Sequence, residues 1–172
     1  MADDLSEDFT VPGLVPKIVQ QGHTCWAAAA AMMIGWRTQQ SCSMDAAIAT
    51  LGEDILWYWK KRQVLPHETI PDLAGMAGMQ CEPLRSFTPQ QFLELMKKTP
   101  SPLMMCLFWP NSTNQTHFDV VFKIRSGGNG AALVTYNDPM TGEENEDDFQ
   151  SFRQQVEAAL DRPGMKGQML HY

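Results

Sequence analysis

The chain is short of several features that would mark common function classes. It has 13 lysines and arginines against 20 aspartates and glutamates, a formal net charge of −7 and a pI near 5.0. Nucleic-acid binders carry a basic patch or stripe, and anionic membrane surfaces select the same sign of charge, so neither partner fits. No C-x-x-C pair is present and the 4 histidines form no pair at metal-ligand spacing, which excludes the usual zinc motifs. The longest apolar run, Trp26 to Trp36, is too short to span a bilayer. Met1 to Glu7 are acidic, without the positive start and apolar stretch of a secretory signal. Internal repeats and low-complexity tracts are missing as well.

What remains is a globular composition. With 172 residues, 44% hydrophobic and 19% charged, the chain is expected to form one domain over 1–172 with a substantial core, its first 14 residues a loose arm. Of the 4 cysteines, Cys42, Cys81 and Cys106 are expected to be buried, reduced thiols acting as small hydrophobes.

A dense apolar helix opens at Cys25 and runs to Arg37, with Thr24 placed to cap it. Shorter helices follow from Ser43, from Glu53 to Arg62 and over Ile70 to Met79. Gln80 to Leu84 reads as a short strand. Thr88-Pro89-Gln90-Gln91 carries a cap, a first-position proline and a glutamine three residues on, a strong start for a helix to Lys98. Leu103 to Trp109 reads as a buried strand. His117 to Arg125 alternates, with Phe118, Val120, Phe122 and Ile124 on one face and His117, Asp119, Val121, Lys123 and Arg125 on the other. A glycine-rich turn leads to a returning strand from Ala131 to Asn137. The acidic cluster from Glu143 to Asp148 is expected to be a solvated turn into a last helix over Asp147 to Leu160; it lacks the ligand alternation of a calcium loop. The tail from Arg162 carries no clear signal. Asn111-Ser112-Thr113 and Asn114-Gln115-Thr116 are glycosylation acceptors only in a secreted eukaryotic chain. Trp57, Tyr58, Trp59 and Trp109 are mainly core material, with room for one or two in a substrate groove.

A sulfur at a helix N-terminus is favoured as thiolate by the helix dipole, and Cys25 sits there. On position alone a free cysteine is more often core; the surrounding residues reverse that. Val15-Pro16-Lys17-Ile18-Val19-Gln20-Gln21-Gly22-His23-Thr24-Cys25-Trp26-Ala27-Ala28 resembles the nucleophile segment of papain-like cysteine peptidases, with a glutamine shortly before a Cys-Trp-Ala that begins the central helix. The nearest branches are bacterial, effector proteases of plant pathogens and the peptidase domains that process bacteriocin leaders. His117-Phe118-Asp119-Val120-Val121 and Tyr136-Asn137-Asp138-Pro139 supply the later landmarks in the right order.

The resemblance implies an α+β papain-like fold, a helical half packed on an antiparallel sheet half with the site in the cleft between them. Cys25 is then the nucleophile and His117 the general base. Hairpin geometry selects the orienting group. If Gly127 pairs with Gly130, Asp119 falls opposite Asp138, which shares the face of His117, whereas Asn137 points away; a one-residue bulge would exchange them. Asp138 is preferred, with Asn137 the fallback. Papain has six positions from glutamine to cysteine, whereas Gln20 lies five before Cys25 and Gln21 four. Gln20 is taken as the oxyanion donor, with the backbone N–H of Cys25 as the second. No cofactor is needed. The expected activity is a cysteine endopeptidase, a bacterial toxin or effector domain cutting an intracellular target protein. It would be cytoplasmic in its producer, delivered into a target cell by a secretion system, and restrained by a cognate immunity protein over the cleft. A leader peptidase cutting after Gly-Gly, a peptidoglycan amidase, a transglutaminase-like enzyme and an inactive binding module are the alternatives.

Overall fold

The structure is a computed structural model that describes residues 5–108, 116–128 and 130–172. Trp109 and both glycosylation motifs up to Gln115 fall outside the described residues, as does Asn129 of the hairpin turn.

Helix α1 (Cys25–Thr38) is apolar on every side, and Trp26 through Met33 are fully buried. Its alanines let neighbouring backbones approach closely, as a wholly internal helix requires. Around it pack α2 (Met44–Ile48), whose Ser43 side chain accepts from Ala46 N–H, then α3 (Gly52–Lys60) and α4 (Ile70–Ala77). α5 (Pro89–Lys98) begins with the expected reciprocal capping box of Thr88 and Gln91. Asp148 accepts from Gln150 and Ser151 N–H and so caps α6 (Phe149–Leu160). No helix among the described residues is long and apolar enough to cross a membrane.

A seven-stranded antiparallel sheet runs through the molecule. Its strands are β1 (Phe9–Thr10), β2 (Gln80–Glu82), β3 (Leu103–Phe108), β4 (Thr116–Ser126), β5 (Ala132–Asp138), β6 (Glu143–Asp148) and β7 (Met169–His171). The order is β2-β7-β3-β4-β5-β6, with β1 added to β4. One core lies under α1 to α4 and takes Met104, Cys106, Phe118 and Val120 from the sheet. The second, built largely from α5 and α6, takes Met105, Leu107, Val121 and Ile124. The architecture is α+β, but with helices on both faces of the sheet rather than one helical half against one sheet half.

The β4–β5 hairpin departs from expectation twice. Its turn is one residue longer than the two-residue turn, closed by Gly127 N–H to the Ala131 carbonyl at 2.8 Å. A bulge between Val121 and Lys123 then removes that extra residue, so Val121 pairs with Tyr136 and Val120 with Asn137. Continuing that register sets Asp119 opposite Asp138. The bulge also inverts the alternation: Ile124 packs with Val121, not with Phe118 and Val120.

Two further expectations are corrected, and the tail, which carried no signal, forms a strand. The arm is docked rather than loose from Leu5, which packs against the second core, onward. Phe9 and Thr10 pair with Ile124 and Lys123, Val11 N–H bonds the Phe122 carbonyl at the bulge, and Asp8 accepts from Ser126 N–H. The acidic cluster is not a turn but strand β6, paired along β5. Its charges are accommodated because it forms the sheet edge, where charge discourages pairing with another chain, and because Arg125 bonds Glu146 at 2.8 Å. The tail returns as β7 between β2 and β3, with Leu170 and His171 buried in the interior of the sheet.

Candidate active site

Cys25 is the first residue of α1 and is 6% exposed. Thr24 does not cap the helix with its side chain. Its hydroxyl instead donates to the Gln21 carbonyl at 2.8 Å and accepts from Gln21 N–H at 3.2 Å, closing the turn that delivers the sulfur. The Ala27 and Ala28 N–H groups bond the Thr24 carbonyl at 3.0 and 3.2 Å, while the N–H groups of Cys25 and Trp26, at the very start of the helix, precede the first intrahelical acceptor.

His117 lies near the start of β4, and its imidazole hydrogen-bonds Cys25. On the other side Nε2 donates to Asp138 Oδ1 at 2.7 Å. The same oxygen accepts from Met140 N–H at 2.7 Å. Asp119 Oδ1 stands 3.2 Å from Nε2, but the single hydrogen there serves Asp138, and this buried oxygen has no hydrogen-bond partner. All three side chains are buried.

The two carboxylates differ because their donors differ. Burial works against ionising Asp138, yet the N–H groups of His117 and Met140 outweigh it and hold the carboxyl below the usual range. Burial dominates at Asp119 and, with the charges of Asp138 and Asp147, pushes it up to about 6 against the pull of His117. For His117 burial disfavours the charged ring, but its contacts with Asp119, Asp138 and Cys25 reverse that and push it up to about 12.

Asn137 faces away from His117. Its amide donates to the carbonyls of Val15 and Pro16, both at 3.3 Å, tying β5 to the segment that leads to Cys25. Gln20 is pinned by its backbone N–H to the Pro139 carbonyl at 2.7 Å, which joins the loop before Cys25 to the residue after Asp138. Its side-chain Nε2 donates to the Gly22 carbonyl at 2.6 Å, and Oε1 is buried without a partner. Gln21 is exposed.

All four cysteines are free. Cys106 is fully buried, and burial, with Cys25 close by, raises its thiol; Cys42 and Cys81 are only half-buried, so the expectation of burial overshot for both. His67 bonds the Thr116 hydroxyl at 2.9 Å, and His171, expected in a featureless tail, is buried against Glu82 at 3.0 Å. Trp57 is 52% exposed while Trp59 is buried and bonds Asp45. Asp119 is the site residue that sequence reasoning placed on the right face but gave no role; its position two residues after His117 on one strand was the available signal.

The donor atoms of His117, Asp119 and Asp138 lie within 4.8 Å of one another. Two ligands of a tetrahedral ion with bonds of about 2.1 Å stand about 3.4 Å apart. The 2.7 Å between Nε2 and Asp138 is instead a hydrogen-bond distance, so as built the group holds a proton. Residues 5–157 match the family model of the papain-like cysteine protease AvrRpt2. No curated protein matches the chain.

Proposed function

Because the chain belongs to the family of the papain-like cysteine protease AvrRpt2, and is thus a cysteine peptidase, we propose that Cys25 is its nucleophile, His117 its general base and Asp138 the group that orients His117. The observation that carries this reading is the two-sided engagement of one imidazole, bonded to Cys25 on one side and to Asp138 at 2.7 Å on the other. Commitment of Nε2 to a carboxylate fixes the ring and leaves Nδ1 for the sulfur.

In the proposed reaction the Cys25 thiolate attacks the scissile carbonyl carbon, and the carbonyl electron pair moves to oxygen. The Cys25 backbone N–H and the Gln20 amide, which has a second hydrogen beyond the one given to Gly22, stabilise that oxyanion. The C–N bond then breaks as His117 gives its proton to the leaving amine, leaving a thioester on Cys25. Water attacks the thioester, His117 takes the proton, and the acid leaves with thiolate and imidazolium restored.

The substrate is a protein. In this reading the chain is a bacterial effector or toxin domain acting on an intracellular target, held in check in its producer by an immunity protein that covers the cleft. The net charge of −7 would steer a partner face of mixed or basic character. Expressing the wild type in bacteria beside Cys25→Ala and comparing new protein N-termini tests both levels. Cuts present only with the wild type, together with growth arrest, are expected. Cuts confined to Gly-Gly junctions would favour a leader peptidase, and harmless expression of demonstrably active enzyme would remove the toxin reading while leaving the peptidase.

A further inference from the structure

Asp119 is an expensive residue with no structural return. Its carboxylate is 2% exposed, and Oδ1 has no hydrogen-bond donor. A buried charged oxygen without a directed donor costs more than a neutral one of the same shape. On β3 its opposite neighbour is Met105, which offers it nothing polar. The groups that face it are His117 on its own strand, Asp138 and Tyr136 on β5, and Asp147 on β6. Of these, three add negative or neutral oxygen, and His117 alone can carry positive charge.

From this geometry, and resting on the peptidase reading above, we propose that Asp119 is a positioning residue: a second, unshared carboxylate that keeps the His117 imidazole charged beside Cys25. Asp138 holds the ring by a directed hydrogen bond at 2.7 Å, and Asp119 at 3.2 Å acts through charge. An opposite charge within about 4–6 Å favours the ionised ring by about one to three pH units. Burial raises the Asp119 carboxyl only to about 6, so it is ionised at neutral pH, where peptide hydrolysis by a thiolate–imidazolium pair takes place. The consequence concerns the alkaline limit of activity. The pair is lost when His117 gives up its proton, and with Asp119 in place that loss is postponed to higher pH.

The test is Asp119→Asn, which keeps shape and removes charge. Its alkaline limit of peptide hydrolysis, which needs the His117 proton for the leaving amine, should fall by about one pH unit or more relative to wild type, with the acid limb little changed. An alkaline limit that does not move in a folded Asp119→Asn protein would overturn the proposal, even if its melting temperature changes, since a purely structural role would alter stability alone. Should the variant not fold, titration of His117 by NMR in a Cys25→Ala/Asp138→Asn protein, where Asp119 is the remaining charged partner of the ring, decides: the ring must keep its proton above about pH 8, and losing it near the ordinary histidine value of about 6.5 overturns the proposal. Failure of the peptidase reading itself would show separately, as a wild-type Cys25 no more reactive than Cys42, and the His117 titration would still uphold or overturn the role of Asp119.

Discussion

The two segments that meet at the site are built on different principles. Helix α1 brings Cys25 in on a frame with almost no polarity, in which Trp26 to Met33 are completely buried. Strands β4 and β5 bring His117, Asp119 and Asp138, three buried titratable groups within hydrogen-bond or ion-pair distance. Packing fixes the position of the sulfur; electrostatics fixes the protonation of the ring. The site can therefore be damaged in two separable ways, by removing a reacting atom or by changing where a proton sits.

The largest expected effect removes a reacting atom. Cys25→Ala and His117→Ala should each lower peptide hydrolysis by about 10³-fold or more, roughly 4 kcal/mol of transition-state stabilisation, while circular dichroism and the cooperativity of melting stay as in wild type. Retention of more than about a tenth of the activity in either variant, a loss of only ~1.4 kcal/mol, would break the comparison at its root.

The neighbours Asp138 and Asn137 sharpen it, because adjacent residues on one strand should fail in different ways. Asp138→Asn should cost about 10²-fold or more in kcat with little loss of stability, as expected when an orienting carboxylate is lost but the shape is kept. Asn137→Ala should cost about 1–2 kcal/mol of stability, since two carbonyls at Val15 and Pro16 lose their donor, and should leave activity within about threefold. The reverse pattern, measured by urea melts and initial rates, would reassign the orienting group to Asn137.

A third prediction reads the charge of the ring through stability. In a Cys25→Ala background no thiol titrates at the site. The unfolded chain loses the His117 proton near about 6.5, whereas the folded protein, with burial outweighed by the Asp119 and Asp138 contacts, keeps it to higher pH. A pKa raised on folding gives stability that is complete below the unfolded value and is lost as pH rises toward the folded one. Unfolding free energy should therefore fall between pH 7 and 9, by as much as ~1.4 kcal/mol per pH unit. Replacing His117 by Gln in the same background should flatten the slope. A slope equal in the two proteins would mean the ring is not held charged.

How legible the site was in the sequence depended on where each signal lay. Cys25 and its helix could be read because the segment is short, continuous and locally determined, from Gln20 to the buried alanines. The register that sets Asp138 on the face of His117 was reached from an inexact hairpin. A turn one residue longer and a bulge at Phe122 cancel, and the docked Val11 that bonds the bulge carbonyl is remote in sequence. The same cancellation flips Ile124 to the other core, which alternation alone could not foresee. Asp119 was visible as a residue but not as an electrostatic partner, since its isolation from donors appears only when β3, β5 and β6 close around it. The arm and the acidic edge strand β6 were misread, and the tail strand β7 went unread, for a shared reason. Each is stabilised by a partner strand supplied elsewhere in the chain, and none has a strong propensity of its own.

The most direct measurement of the central claim, that Cys25 and His117 act as one unit, is the rate of iodoacetamide modification of each cysteine at neutral pH, followed by mass spectrometry. Thiolate is the reactive form. Cys25 should be modified about tenfold or more faster than the half-buried Cys42 and Cys81 and the buried Cys106, and His117→Ala should abolish that advantage. Modification of Cys42 ahead of Cys25, or an unchanged Cys25 rate in the His117→Ala protein, would contradict it.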